Sequence, residues 1–431
     1  MKRSLCKRLV VLALLVVLVP MLVCAAGQKD QVTQKKPIEI MGPFGGPDEV
    51  AFQEVLAAFT AKTGIDVYYT ADPEFNTQIM VRTQAGNPPA VAAVPQPGTM
   101  ATLASRGYLK PLPKEVIAQI DSNYAPVWKS LGSYESNVYG IFYRVNAKSF
   151  VWYPKKAFNA HGYTIPNTWN ELITLMDTMV ADGITPWSIG IEAGGATGWL
   201  ATDWLEDLVL RTAGPNAYDK WINNELKFDS PEIKKAMSYM ESIWMNPKYV
   251  FGGPAYIRGT SIGDAIRPLF QNPPQAMLHR QGNFILNDVP RWVAENLDEE
   301  VGVFTFPSID PQWGKPVFGG GDQFVIFDDS EDVVTLLKFL GSWEGARSWA
   351  QTGTALFPHK DQDLKDYPSK IMQDLASSIL NAQVFRFDAS DMMPAEIGAG
   401  AFWEGMANFV TGVPAATVLS EIQGTWDSIK R

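Results

Sequence analysis

The sequence predicts an α/β protein built on mainly parallel β-sheets. Short apolar runs alternate with amphipathic helices in the first third of the chain, which is typical of βαβ units. The same alternation restarts near residue 168. A chain of 431 residues is also long for a single hydrophobic core, so we expect at least two domains.

The first elements of the chain show the alternation most clearly. Residues 37–41 are a predicted strand that ends in the Gly/Pro-rich segment 42–47. The helix that follows has one apolar face, whose side chains are spaced by three and four residues: Phe52, Val55, Leu56 and Phe59. Gly64 is well placed to end this helix. The sequence then predicts strands at 65–70 and 90–94 and helices at 75–85 and 98–105.

A second series of elements begins at a capping box. Thr168 and Glu171 have the spacing in which each side chain can bond the backbone N–H of the other residue. After this helix the sequence predicts a strand at 187–191, a glycine-rich loop at 192–199, a helix at 203–211 and another that begins at Ser230 and Pro231.

The later strands are predicted to return to the first sheet. They are residues 276–279 and 301–306. Residues 319–322 (Gly-Gly-Gly-Asp) form a predicted flexible crossing in front of a strand at 324–327, and the chain after residue 331 is predicted to be mostly helical.

The N-terminus has the pattern of an export signal. Four basic residues precede an apolar run at residues 9–23, which is short for a membrane span, although a single transmembrane anchor is the alternative. We therefore expect a signal peptide at 1–23 and a polar tether at 24–36. Cys24 resembles the lipid-attachment cysteine of bacterial lipoproteins, whereas cleavage after Ala26 would release a soluble periplasmic protein; both alternatives remain open. In either case we expect the protein to work in the periplasm or cell envelope.

The composition of the chain and the absence of several motifs argue against some classes of function. The net charge is −10 without a Lys/Arg cluster, which argues against nucleic acid or anionic lipid as a partner. The three histidines, His161, His279 and His359, lie far apart and form no zinc motif. The loop at 194–198 lacks the lysine of a phosphate-binding loop, and no GxSxG motif is present. We expect no metal and no cofactor.

Aromatic residues beside polar ones give the strongest local indication. The chain has 14 Trp, of which Trp199 lies near Asp203 and Trp403 precedes Glu404. An indole ring offers a flat apolar face that matches the C–H face of a pyranose, and nearby polar groups can bond its hydroxyls. Glu192, Asp203 and Asp388 could also supply the two catalytic carboxyl groups of a glycosidase, so this function remains an alternative.

Several stretches resemble the solute-binding proteins of sugar ABC importers, with the alpha-glucoside-binding branch as the closest match. They are residues 85–98 (AGNPPAVAAVPQPG), 189–199 (IGIEAGGATGW), 201–204 (ATDW), 384–391 (VFRFDASD) and 398–403 (GAGAFW). Ala90 departs from the pattern, which more often has Asp there.

The resemblance implies a two-lobe periplasmic-binding-protein fold (type II, maltose-binding-protein-like) with a hinge and an interlobe cleft. Lobe one would comprise residues 37–142 and 268–319, and lobe two residues 143–267 and 320–431. The protein would be a monomer and not an enzyme. It would capture an alpha-glucoside or related oligosaccharide by hinge closure and deliver it to membrane permease subunits.

The same hypothesis gives a set of ligand contacts from both lobes. Trp199 and Trp403 would stack on sugar rings, and carboxylates, arginines and glutamines would bind hydroxyls. The expected ligand-binding residues are Phe44, Gln96, Arg144, Glu192, Trp199, Asp203, Arg280, Gln281, Asp322, Arg386, Asp388 and Trp403. Arg386 could instead form an ion pair with Asp388 or Asp391.

Other functions remain as alternatives. The ligand could be a non-sugar solute such as ferric iron, for which Tyr68 and Tyr69 are the only adjacent tyrosines. An exported glycoside hydrolase is the enzyme alternative, and a surface adhesin or lectin is a third.

Overall fold

The computed structural model describes residues 36–380 and 385–429. The predicted signal peptide, the tether up to residue 35 and Cys24 lie outside the described residues. Within the described part, none of the helices combines the length and apolar character that crossing a bilayer requires.

The strands of the described residues form two larger sheets and a small hairpin. They are β1 Ile38–Gly42, β2 Val67–Ala71, β3 Val91–Val94, β4 Ser133–Tyr134, β5 Asn137–Val138, β6 Gly140–Ala147, β7 Phe150–Pro154, β8 Thr185–Trp187, β9 Ala276–Arg280, β10 Val301–Thr305, β11 Val317–Ile326 and β12 Phe385–Phe387.

Helices connect and cover these strands. They are α1 Pro47–Thr63, α2 Phe75–Gln84, α3 Pro97–Ser105, α4 Lys114–Asn123, α5 Pro126–Leu131, α6 Lys155–Ala160, α7 Trp169–Ala181, α8 Trp199–Thr212, α9 Pro215–Ile222, α10 Pro231–Trp244, α11 Gly253–Gly259, α12 Arg291–Ala294, α13 Leu297–Glu300, α14 Glu331–Leu340, α15 Trp343–Ala350, α16 Lys370–Leu380, α17 Ala389–Met392, α18 Trp403–Val410 and α19 Ala415–Ser428. Shorter 3₁₀ turns lie at Gly194–Ala196, Asp264–Phe270, Asn283–Asn287 and Leu364–Asp366, and a π-helical turn at Glu396–Phe402.

The first sheet has the order β12-β11-β3-β1-β2, and β6 also pairs with β11. The strands β1, β2 and β3 are parallel to one another, as their alternation with α1 and α2 predicts. Gly64 ends α1 in the left-handed conformation and donates to the Thr60 carbonyl, so the predicted helix end is confirmed. The long strand β11 is antiparallel to β3 and β6.

The second sheet has the order β10-β7-β9-β8. The predicted capping box of α7 is confirmed, because the Thr168 hydroxyl accepts from the Glu171 N–H and the Glu171 carboxylate accepts from the Thr168 N–H. Three buried clusters of apolar side chains pack against the sheets, and one of them contains side chains from both larger sheets. We call the elements packed around the first sheet the first lobe, and β7 to β10 with α7 to α11 and α17 to α19 the second lobe.

The predicted return of two strands to the first sheet is wrong. β9 lies between β7 and β8, and β10 pairs with β7, so both belong to the second sheet. Residues 319–322 are not a flexible crossing either, because they lie within the buried strand β11 of the first sheet. The predicted lobe boundaries therefore misplace all three strands. A Cβ on Gly319 would lie 2.0 Å from the Asn146 carbonyl oxygen, so this glycine permits close strand packing.

Three short connections join the two lobes. Residues 148–149 link β6 to β7, residues 306–316 link β10 to β11, and Asp388 links β12 to α17. A hinge of this kind needs only a few residues that absorb backbone rotation.

We expect His279 of β9 to make the fold sensitive to acid. Its Nδ1 lies 2.8 Å from the Ser188 carbonyl oxygen, and burial lowers its pKa to about 4. The unfolded chain, with an ordinary histidine pKa near 6.5, therefore binds more protons below that pH. The free energy of unfolding should fall by up to about 1.4 kcal/mol per pH unit from pH ~6.5 down to ~4.

Urea unfolding from pH 7 to 4.5 measures this dependence. The variant His279→Gln should remove this component, whereas His161→Gln, at an exposed position, should leave the slope unchanged. Equal slopes for His279→Gln and the parent protein would contradict the assignment.

Candidate functional site

A cavity of about 380 Å³ lies between the lobes. Its first wall comes from the loops that follow β1, β2 and β3, which contribute Pro43, Glu74 and Gln96. These loops are at the carboxyl ends of parallel strands, where open α/β sheets generally bind ligands. The volume is in the range of small-molecule sites.

Two strands of the first sheet complete this first wall, and the second wall comes from the second lobe and from the connections between the lobes. The strands β6 and β11 contribute Arg144, Asn146 and Asp322. The second lobe contributes Trp199 and Asp203 of α8 and Trp403 of α18, and the connections add Lys148 and Asp388.

Arg144 is the buried cation of the first wall. Its Nε lies 2.9 Å from Asp322 Oδ2, and its Nη1 bonds Asp48. The guanidinium is also 4.7 Å from the centre of the Phe44 ring. Burial raises the pKa of Asp322, and the charge of Arg144 opposes the rise. Both carboxylates therefore already have a strong partner.

Lys148 is the buried cation of the second wall. Its Nζ lies 3.1 Å from Asp203 Oδ2, bonds Asp388 Oδ2, and is 4.7 Å from the centre of the Trp199 ring. Burial alone would lower the pKa of Lys148, but Asp203 and Asp388 raise it above its ordinary value. Burial raises the pKa of Asp391, beside Asp388, well above normal.

Several buried polar atoms at the cavity have no hydrogen-bond partner among the described residues. Four of them are the acceptors Asn76 Oδ1, Gln96 Oε1, Asn146 Oδ1 and Asp388 Oδ1, and one is the donor Trp403 Nε1. Buried polar groups are normally satisfied, so atoms of this kind indicate that a ligand or ordered water completes them. The excess of acceptors favours a ligand with many hydroxyl donors.

Aromatic rings flank these polar atoms. Trp199 is partly buried at the start of α8, with its ring centre 6.0 Å from that of Phe284. Trp403 is 5% exposed, and it also lines the cavity. Both rings are therefore placed to contact a ligand in the cavity.

The lobes touch each other at the rim of the cavity. The Gly195 N–H of the second lobe donates to Glu74 Oε1 of the first lobe at 3.1 Å. Arg106, which directly follows α3, is 3.2 Å from the Glu396 carboxylate. The two lobes are thus in a closed arrangement.

Seven of the predicted ligand-binding residues line the cavity: Gln96, Arg144, Trp199, Asp203, Asp322, Asp388 and Trp403. Phe44 does not, because its ring is buried in the first core under Arg144. Glu192 accepts the Gly194 N–H at 2.9 Å and so shapes the loop in front of Trp199.

The remaining three predicted residues bind other protein groups. Arg280 Nη2 donates to Asp207 Oδ2 at 2.8 Å inside the second lobe. The Gln281 side chain accepts the N–H of the next residue. Arg386 forms a bidentate pair with Asp219, at 2.7 and 2.8 Å, and the expected pair with Asp388 or Asp391 is wrong.

Lys148, Glu74, Asn146 and Phe284 line the cavity but were not predicted. The signal that could have indicated Lys148 is its position a few residues after 142–143, where the chain was predicted to pass from lobe one to lobe two. The other three have no local sequence pattern that separates them from ordinary surface or core residues.

One group of carboxylates has the geometry to hold a cation. An oxygen of each of Asp203, Glu206 and Asp388 lies within 4.8 Å of the others. The Lys148 ammonium contacts two of these carboxylates, so a positive charge is already supplied by the chain.

Comparison with known proteins defines the class of protein. Residues 46–347 match the family described as bacterial extracellular solute-binding protein, and the chain belongs to this family. It is 38% identical over 394 residues to the osmoprotective compounds-binding protein GgtB of Synechocystis. The matched region covers 91% of this chain and 93% of that protein. It is also 38% identical over 402 residues to the alpha-glucosides-binding periplasmic protein AglE of Rhizobium meliloti, with 91% and 87% covered.

Solved structures share the fold at low sequence identity. The bacterial solute receptor AcbH has a TM-score of 0.81 at 20% identity, over 92% of this chain and 99% of that chain. Maltose-bound MalE3 of T. maritima has a TM-score of 0.71 at 19% identity, over 90% and 99%. The predicted two-lobe, maltose-binding-protein-like fold is confirmed.

Proposed function

We propose that this protein is the substrate-binding component of an ABC sugar importer. It captures an alpha-glucoside or a related oligosaccharide in the interlobe cavity by hinge closure and delivers it to membrane permease subunits. The family assignment and the two relatives at 38% identity, whose names give alpha-glucosides and osmoprotective compounds as ligands, support this function.

The observation that carries the proposal is the pairing of unsatisfied acceptors with an aromatic ring. Gln96 Oε1 and Asn146 Oδ1 lack a hydrogen-bond donor, and the ring of Trp199 lines the same cavity. A pyranose supplies partners for both, since its hydroxyls donate and its C–H groups stack.

The charges of the cavity favour a neutral sugar over an acidic one. Six carboxylates and two cations line it, and both cations, Arg144 and Lys148, are already ion-paired. A sugar acid would bring another negative charge against this excess and find no free cation.

A thermal-shift panel tests the proposal. Maltose, trehalose and sucrose are compared with glucuronic acid, and at least one neutral glucoside should raise the Tm in a saturable way, because a ligand that binds only the native state stabilises it. At a concentration 100 times Kd the stabilisation should be about 2.7 kcal/mol. Glucuronic acid should cause no shift.

Recovery of the sugar separates a receptor from a hydrolase. After overnight incubation the bound glucoside should be released intact by denaturation. Release of glucose, or a panel without any shift, would contradict the proposed function.

The proposed site of action is outside the cytoplasm, with the protein as a monomer. Mass spectrometry of the protein purified from its host would show either an acylated Cys24 at the N-terminus or a chain that begins at residue 27. A mature chain that still carries residues 1–23 would contradict the proposed export.

A further inference from the structure

Lys148 lies where two of the connections between the lobes meet. It directly follows β6, and its N–H donates to the Phe318 carbonyl at 2.8 Å. Asp388 directly follows β12, and its N–H donates to the Gly319 carbonyl at 2.9 Å. Neighbouring residues of β11 therefore fix the backbones of Lys148 and Asp388 side by side.

The Lys148 side chain joins these connections to the second lobe. Its ammonium bonds Asp388 and lies 3.1 Å from Asp203 of α8. Its side chain is only 9% exposed, yet it lines the cavity together with both carboxylates and Trp199. Lys148, which lies in one connection, thus contacts a second connection at Asp388 and two candidate ligand-binding residues of the second lobe, Asp203 and Trp199.

Other charged groups around Lys148 do not replace its charge. Glu206 and Asp391 are acidic groups whose pKa burial raises, and Glu206 accepts the N–H groups of Ala389 and Ser390. Arg280 of β9 bonds Asp207 and the Asp203 carbonyl oxygen, not the Asp203 carboxylate. Among the described residues, Lys148 is the cation that forms an ion pair with Asp203 and Asp388.

Burial raises the pKa of Asp203 and of Asp388, and the charge of Lys148 opposes both rises. Removal of the ammonium would leave these two buried carboxyl groups close together without that opposing charge. A buried charge without a partner is costly, and two like charges at short distance cannot both remain ionised. At least one of Asp203 and Asp388 would bind a proton at neutral pH. A neutral carboxyl is a weaker acceptor than a carboxylate, whose hydrogen bonds are roughly twice as strong.

We propose that Lys148 is a positioning residue of the ligand site, which pairs with Asp203 and Asp388 and holds them in place as hydrogen-bond acceptors for ligand hydroxyls. This inference rests on the proposed sugar-binding function. It assigns the ligand's strongest polar contacts to the second wall, at the point where the connections between the lobes converge.

Calorimetric titration of Lys148→Met with the best sugar of the panel, from pH 6 to 9, tests the inference. The variant should bind at least 10-fold more weakly at pH 7. Its affinity should recover as the pH rises, because the two carboxyl groups then lose their protons. The affinity of the parent protein should change less than that of the variant over the same range, because its ammonium lowers the pKa of both carboxyl groups.

A matched control is Lys129→Met. Lys129 is a partly exposed lysine of α5, paired with Asp121 at 2.7 Å and outside the cavity. It should bind sugar as the parent protein does at every pH. An affinity of Lys148→Met within threefold of the parent, or a loss that is the same at pH 6 and pH 9, would overturn the inference.

Two further variants, which replace a carboxylate by a neutral amide of the same shape, keep the inference testable if Lys148→Met does not fold. Asp203→Asn and Asp388→Asn each leave Lys148 with one carboxylate, and each should weaken binding about 10-fold at constant pH. Parent-like affinity in both would overturn the inference even if Lys148→Met cannot be purified.

Infrared difference spectroscopy separates this inference from the proposed function. Ligand-free Lys148→Met, measured against the parent protein, should gain the C=O band of a protonated carboxyl at pH 7 and lose it by pH 9. Absence of that band would overturn the role of Lys148. Failure of every sugar to bind would instead overturn the proposed function alone.

Discussion

Replacement of Trp199 by alanine is expected to weaken binding of the best sugar by about 30-fold or more. The indole lines the cavity at the start of α8, beside the carboxylate of Asp203. Removal of a central aromatic contact usually costs at least about 2 kcal/mol of binding free energy, which corresponds to this loss in affinity. Calorimetric titration of variant and parent protein measures the ratio of Kd directly.

Two further variants define what the Trp199 result means. Trp292→Ala removes a tryptophan that is 50% exposed and outside the cavity, and it should bind as the parent protein does. Trp199→Phe retains a flat ring and should recover part of the affinity. An unchanged Kd in Trp199→Ala would remove this residue from the ligand site.

Replacement of Gly98 by alanine is expected to reduce affinity for every sugar by a similar factor, roughly 100-fold. A Cβ at this position would lie 1.9 Å from the Met393 carbonyl oxygen of the second lobe, so the closed arrangement could not form without a shift. Gly98 lies in α3, where alanine is favoured over glycine by roughly 0.5–1 kcal/mol, so the first lobe should remain folded. Small-angle scattering should show that ligand no longer compacts the variant.

Gly424→Ala is the matched control for this prediction. Gly424 lies in α19 of the second lobe, and an added Cβ there has no atom within 4 Å. It should bind sugar and compact like the parent protein. If Gly98→Ala also closes over ligand with parent affinity, the contact between α3 and Met393 does not limit closure.

The strands and helices could be predicted because each depends on a local pattern. The apolar spacing of α1 and the capping box of α7 are complete within a few residues. The pairing of β9 and β10 depends on which distant edge accepts them, and periodicity reports only which face of a strand is buried. The glycines of β11 had the composition of a flexible segment, but close strand packing requires their missing side chains.

The residues of the cavity likewise divide into those that a local sequence pattern indicates and those whose role depends on distant contacts. Gln96 and Trp199 were predicted because they follow strands in loops of distinctive composition, and both line the cavity. Arg386 has equally distinctive neighbours, yet its partner Asp219 is 167 positions away. Lys148 acquires its role from Asp203 and Asp388, which are 55 and 240 positions away. No local pattern contains such contacts.

A crystal structure of the protein with the best-binding glucoside tests the central claim most directly. The intact sugar should lie in the cavity, with one ring stacked on Trp199 and a hydroxyl within hydrogen-bond distance of Asp388 Oδ1. A sugar bound on the outer surface of either lobe, with the cavity filled only by water, would contradict the account.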